Sequence, residues 1–197
     1  MHRIINAVFE ILPAVPFLLP GLWLLRRRLF ISGNRTAAYF VFTLYLAAMY
    51  ILVGLPSVLY VRLDANVNLV PFLYMFSDGK NSLLNLLLFL PLGIFLPVLW
   101  KNGGSLWRTT LFGFGLSLSI EVLQLFTLRA TDVNDLITNT LGTLLGCLLG
   151  KGILRRFPAI VPRQSSRDLP LLLCLTFGVM FFLQPLLSSL VWELLCP

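Results

Sequence analysis

The residues able to do chemistry are concentrated in one stretch: Glu121 and Gln124, then Asp132 and Asp135, then Asn139. Glu121 and Gln124, at i and i+3, share one face of a helix, and Ser117 lies one turn further along it. Carboxylates in such a setting can hold a ligand headgroup, act as an acid and base, or ligate a divalent cation through oxygen. Apolar surroundings make them expensive, because lipid offers no hydrogen bonds. Glu121 therefore either carries a proton and bonds to Gln124 or Asn139, or lines a polar cavity. Asp132 or Asp135 also stands where an anion caps a helix N-terminus.

Other chemistries are excluded by type. The sole histidine, His2, removes Ser-His-Asp and Cys-His mechanisms and any histidine-rich metal site. Cys147, Cys174 and Cys196 form no CxxC pair, and two of them lie in apolar runs as small hydrophobes. We expect no metal and no cofactor.

The elements that must position the polar group are membrane helices. The chain of 197 residues is 58% hydrophobic and only 12% charged, with a mean hydropathy of +0.90. A soluble domain is nearer half apolar and a quarter charged. The expected fold is all-α, a polytopic bundle of about six transmembrane helices over residues 4–25, 37–61, 82–100, 109–128, 136–152 and 169–192. Pro13, Pro16 and Pro20 bend the first span. Within the longest outer connection, residues 62–80, the run from Asn68 to Phe72 suits a short re-entrant or surface helix. Trp100 and Trp192 suit interfacial anchors. Gly142, Gly146 and Gly150 repeat at every fourth residue and let two helix backbones approach closely. They follow a stripe with Asp135 and Asn139, and their most economical neighbour is the fourth span.

Charge sets the orientation. Eleven of the 15 lysines and arginines fall on the side of residues 26–28, and four (Arg3, Arg62, Lys80 and Arg129) on the other. The positive-inside rule places the eleven in the cytoplasm and both termini outside. The net charge of +7 is then explained by orientation, with anionic headgroups as its partner and no nucleic acid. Glu121 falls about 10 Å below the outer surface. Asn68, Asn85, Gln124, Asp132, Asp135 and Asn139 share the outer half with it, and Glu10 is a second carboxylate shallow in the first span.

Four pieces in order resemble the VanZ-like membrane proteins. They are Asn68-Leu-Val-Pro-Phe72, Asn85 to Phe89 with Pro91 and Gly93, Ser119 and Glu121 with Gln124, and Asp132-x-x-Asp135 followed by Asn139, Gly142 and Gly146. The resemblance covers residues 37–150, leaving the first and last helices peripheral within one membrane domain, 1–197. It implies a bacterial cytoplasmic-membrane protein of a family named for a member associated with resistance to the glycopeptide teicoplanin. It transfers no catalytic residue. The role that follows is an outer-leaflet polar pocket, formed by Asn68, Asn85, Glu121, Gln124, Asp132, Asp135 and Asn139. It would bind or handle an amphiphile: a membrane lipid, a lipid-linked envelope precursor or a lipoglycopeptide. The alternative is an intramembrane enzyme in which Glu121 works with Asp132 or Asp135 as acid and base, or as ligands to a divalent cation.

Overall fold

The structure, a computed structural model, describes residues 10–29, 33–63, 66–72, 79–160 and 168–195. It is helical: α1 (Val15–Leu29), α2 (Gly33–Leu52), α3 (Gly79–Leu99), α4 (Leu106–Gln124), α5 (Val133–Arg156), α6 (Asp168–Gly178) and α7 (Gln184–Leu195). A π-helical turn, Val179–Leu183, carries α6 into α7 without a break. Two-residue strands, β1 (Val67–Asn68) and β2 (Thr131–Asp132), pair in parallel. Among the described residues four helical stretches are long and apolar enough to cross a membrane: Arg35–Leu52, Gly79–Leu99, Val133–Arg156 and Asp168–Leu190. This is a membrane protein. The chain gathers into two compact units, residues 63–166 and residues 1–62 with 167–197.

In the unit of residues 63–166, α3 and α5 make the most extensive contact. The glycine stripe explains it. The space a side chain would occupy at Gly142 holds the Leu86 carbonyl, that at Gly146 the Leu90 carbonyl, and that at Gly150 the Pro97 ring and the Ile94 carbonyl. Gly93 answers from α3, meeting the backbone of Thr143, Gly146 and Cys147. Glycine Cα–H groups thus face carbonyls, contacts each worth about 0.5–1 kcal/mol. A step of four along α5 matches a step of four along α3 in the same direction, so the two helices run parallel.

The stripe therefore lies against α3, where the expected fourth span, α4, was its anticipated neighbour. The reason is angular. At about 100° per residue, Asn139 and Thr143 sit some 60° around α5 from Gly142 and Gly146. The glycines meet α3, while Asn139 and Thr143 meet α4, where Gly113 lies against the Thr143 side chain. One stripe in the sequence is two adjacent contact lines in the fold.

Two further expectations change. Asn68 belongs to β1, and Leu69 to Phe72 form an exposed turn with no surface helix. The Asn68 side chain accepts the Val70 N–H at 3.2 Å, Pro71 has no N–H to give, and Phe72 adopts a left-handed φ of 62°. Trp100 is 1% exposed, so it is a core residue. The 3₁₀ turn Lys101–Gly104 folds back over it, because Gly103 packs directly on the Leu96 backbone. The Trp192 side chain lies outside the described residues.

In the other unit, α2 ends earlier than the expected 37–61. Gly54 takes φ 66° and its N–H and that of Leu55 close back on Ile51 and Tyr50, stopping the helix. Tyr39 donates its hydroxyl to Asp168, which is 1% exposed, and Tyr50 donates to the Pro56 carbonyl. The Tyr50 ring meets Phe177 edge-on at 5.4 Å. Pro20 lies within α1. Residues 4–9, the start of the expected first span, lie outside the described residues.

Candidate functional site

The polar group is built where α4 ends and α5 begins. Glu121 and Gln124 occupy the last turn of α4, buried at 5% and 4% exposure. Thr127 ends the helix cleanly, its hydroxyl and N–H both donating to the Gln124 carbonyl. The chain then turns into β2. The Thr131 hydroxyl donates to the Glu121 carbonyl at 3.1 Å, and the Asp132 N–H donates to Glu121 Oε2 at 2.9 Å.

Asp132 caps α5: its Oδ1 accepts the Asn134 N–H at 2.8 Å. That resolves the choice between the two aspartates, and such a cap contributes about 1 kcal/mol. The same oxygen accepts from Asn68 Nδ2 at 3.0 Å, across the β1–β2 pair. The Asn66 carbonyl takes the Thr131 N–H at 3.0 Å. A loop 64 residues earlier in the chain is thereby fastened to the start of α5. Asp135 sits in the first turn of α5, half-buried, where its negative charge meets the helix N-terminus. The negative potentials of Asp135 and Asp132 and the positive potential of Arg129 all reach Glu121.

Asn139, one turn further along α5, donates to Ser117 Oγ at 2.9 Å, while its buried Oδ1 has no hydrogen-bond partner among the described residues. The alternative partners expected for Glu121, Gln124 and Asn139, thus give way to the Asp132 backbone. Of the expected site residues, the fold brings Asn68, Glu121 and Asp132 into one hydrogen-bonded chain, with Gln124, Asp135 and Asn139 beside it. Asn85 stands apart. It is half-buried on α3 and its side chain forms no hydrogen bond among the described residues. Glu10 belongs to the other compact unit, where its carbonyl accepts from Gln184.

One participant escaped the sequence reading. Asn134 is 4% exposed, and its Oδ1 accepts the N–H of Phe72 at 2.7 Å. This bond holds Phe72 in its left-handed conformation, which disfavours a bulky residue by roughly 1–2 kcal/mol. The available signal was an asparagine two residues past the cap, a position suited to catching a loop N–H. Among the described residues no three of His, Cys, Asp and Glu come together to hold a metal.

The arrangement can accept hydrogen bonds more than it can donate them. Glu121 Oε2 has one donor, and Glu121 forms no ion pair among the described residues. Both Asp132 donors share Oδ1, and Asp132 meets Glu121 through its backbone N–H, so among the described residues the two carboxylates are not hydrogen-bonded to each other.

Comparison with known proteins agrees with this reading of the sequence. The family model VanZ/LLP1 matches residues 40–155, a range that holds α3, α4, all but the last residue of α5 and the whole polar group. Protein VanZ of Enterococcus faecium is 38% identical over 85 residues, 43% of this chain and 52% of that protein. The chain thus spans about half the length of the curated relative it matches. No solved structure matches. With the family model covering more than half of its length, the chain belongs to the VanZ/LLP1 family.

Proposed function

We propose that this protein crosses a bacterial cytoplasmic membrane six times, with both termini outside, and binds the polar group of an amphiphile beside Glu121. The amphiphile is a lipid, a lipid-linked envelope precursor or a lipoglycopeptide, and the binding contributes to glycopeptide (teicoplanin) resistance. The parallel run of α3 and α5 supports the number of spans. Both are long and apolar enough to cross, and a chain that crosses twice in one direction must return between them. α4, at 19 residues, is about 28 Å long and meets that distance. The charge bias of the loops supports the orientation.

The observation that carries the binding role is Glu121 itself: a carboxylate at 5% exposure with no ion pair and one backbone donor among the described residues. A ligand that donates hydrogen bonds or carries positive charge would complete it. The enzyme alternative has weaker support, since Asp132 meets Glu121 through its backbone N–H and not through its carboxylate.

The test is Glu121→Gln, assayed for teicoplanin susceptibility in cells that accumulate it at wild-type level. Loss of the phenotype with normal folding supports a role for the charge or the proton. Full activity across a range of pH would reduce Glu121 to structural support. Asp135→Asn then separates binding from chemistry: a graded loss of affinity fits binding, and abolished turnover with retained binding fits catalysis.

A further inference from the structure

We infer that the groove between α1 and α2 binds an anionic phospholipid of the surrounding membrane, its acyl chain along the apolar wall and its phosphate at Arg26. The groove encloses about 520 Å³, within the range of about 300–1,000 Å³ usual for small-ligand sites. Pro16, Leu19, Pro20 and Trp23 of α1 form the apolar wall. Arg26 of α1 and Thr36 of α2 stand together at the other end. Pro16 to Arg26 spans ten residues of helix, about 15 Å, enough to take most of one acyl chain beneath its headgroup.

The headgroup class follows from charge. Arg26 is exposed, and among the described residues it forms no ion pair and no hydrogen bond. Its neighbour Arg27 is stacked on the Trp23 ring, 3.9 Å from the centroid, which fixes the indole as part of the wall. Among the described residues, the carboxylate nearby is Asp168. It lines an adjoining recess with Arg26, Thr36 and Tyr39, but it is buried and accepts the Tyr39 hydroxyl. The mouth of the groove therefore offers the Arg26 guanidinium fork to an incoming phosphate. A zwitterionic lipid brings the same phosphate but with an ammonium beside it, which the neighbouring Arg26 and Arg27 repel, and a lipid without a phosphate would leave Arg26 unanswered. This site is separate from the polar group around Glu121, and its test does not depend on that group.

Trp23 supplies the probe. Full-length protein is reconstituted into phosphatidylcholine vesicles containing increasing fractions of brominated phosphatidylglycerol or, separately, brominated phosphatidylcholine, and tryptophan quenching is followed. Brominated phosphatidylglycerol is expected to quench at an about fivefold lower mole fraction, the scale of one basic residue acting on an anionic lipid. Trp23→Phe should remove the preferentially quenched component. Arg26→Gln should abolish the preference, and Arg26→Lys should keep part of it. Where Arg26→Gln does not accumulate, wild type decides: unlabelled phosphatidylglycerol must relieve the quench, and phosphatidylcholine must not. Equal quenching by both lipids, a preference that survives Arg26→Gln, or relief by millimolar inorganic phosphate as effective as by the lipid overturns the proposal.

Discussion

Asp132 gives its backbone N–H to the Glu121 carboxylate across 2.9 Å, and with its own carboxylate holds both Asn68 and the first turn of α5. One residue thus joins the end of α4, the start of α5 and a loop from before α3. The two carboxylates are not arranged as equals. Glu121 is the one left under-supplied with donors, and Asp132 is the scaffold that presents it.

Asp132→Ala should lower the thermal midpoint of the detergent-solubilised protein, by a stability loss of about 1–2 kcal/mol from the lost cap and the stranded Asn68 amide. Asp132→Asn should recover most of it, because an asparagine oxygen caps nearly as well. An Ala variant as stable as wild type would show that the cap contributes nothing.

Gly146→Ala and Gly93→Ala should each reduce folded yield and cost about 1–3 kcal/mol, because a methyl at either site meets backbone that cannot yield. Gly150→Ala should be milder, since its contacts lie at 2.7 Å to the Pro97 ring and 2.9 Å to the Ile94 carbonyl. Gly115 and Gly152 have nothing within 4 Å. Alanine there should be neutral or stabilise by up to about 1 kcal/mol through helix propensity. Thermal melts of the five variants check the pattern.

Phe72→Gly should leave stability unchanged or raise it by up to about 1 kcal/mol, since glycine adopts a left-handed φ freely. Asn134→Ala should do the opposite, freeing the Phe72 N–H and the strained turn together. Combining the two should be less than additive, because the bond and the strain are coupled. Denaturation midpoints of the double-mutant cycle measure this.

The proposed orientation is checked by labelling intact cells from outside with a membrane-impermeant thiol reagent. Asp78→Cys and Glu193→Cys should react, and Arg27→Cys and Arg163→Cys should not. Labelling of the latter pair would invert the arrangement and put Glu121 in the inner leaflet.

Much of this was legible in the sequence, and the limits have physical causes. The run of apolar residues in α3 and the spacing of Glu121 with Gln124 are local signals, and the structure displays both. The glycine repeat announced a close helix contact but not its partner, because a stripe specifies a face and leaves the neighbour open. Val67 and Asn68 could not announce a strand. Two residues carry no periodicity, and their pairing with Thr131 and Asp132 is made entirely by tertiary context. Trp100 was misread for a similar reason. Its place beside Lys101 suits a membrane interface, but Gly103 lets the following turn close over it. Asp168 falls just before the expected last span, 169–192, yet it starts α6 as a buried acceptor for Tyr39.

The match between α3 and α5 resembles two racks with evenly spaced teeth. Moving one rack by a single tooth, about 6 Å, would set Gly146 against Leu86 and bring Gly150 opposite Leu90 and Gly93, again glycine against backbone. Such a contact grips firmly but carries no index of its own. The index is supplied at one end, where the Asn68–Asp132 bond and the β1–β2 pair tie the chain before α3 to the first residues of α5. The little clasp beside Glu121 thus selects one alignment of the bundle from among its near-copies, and loosening it releases the vertical position of every residue below.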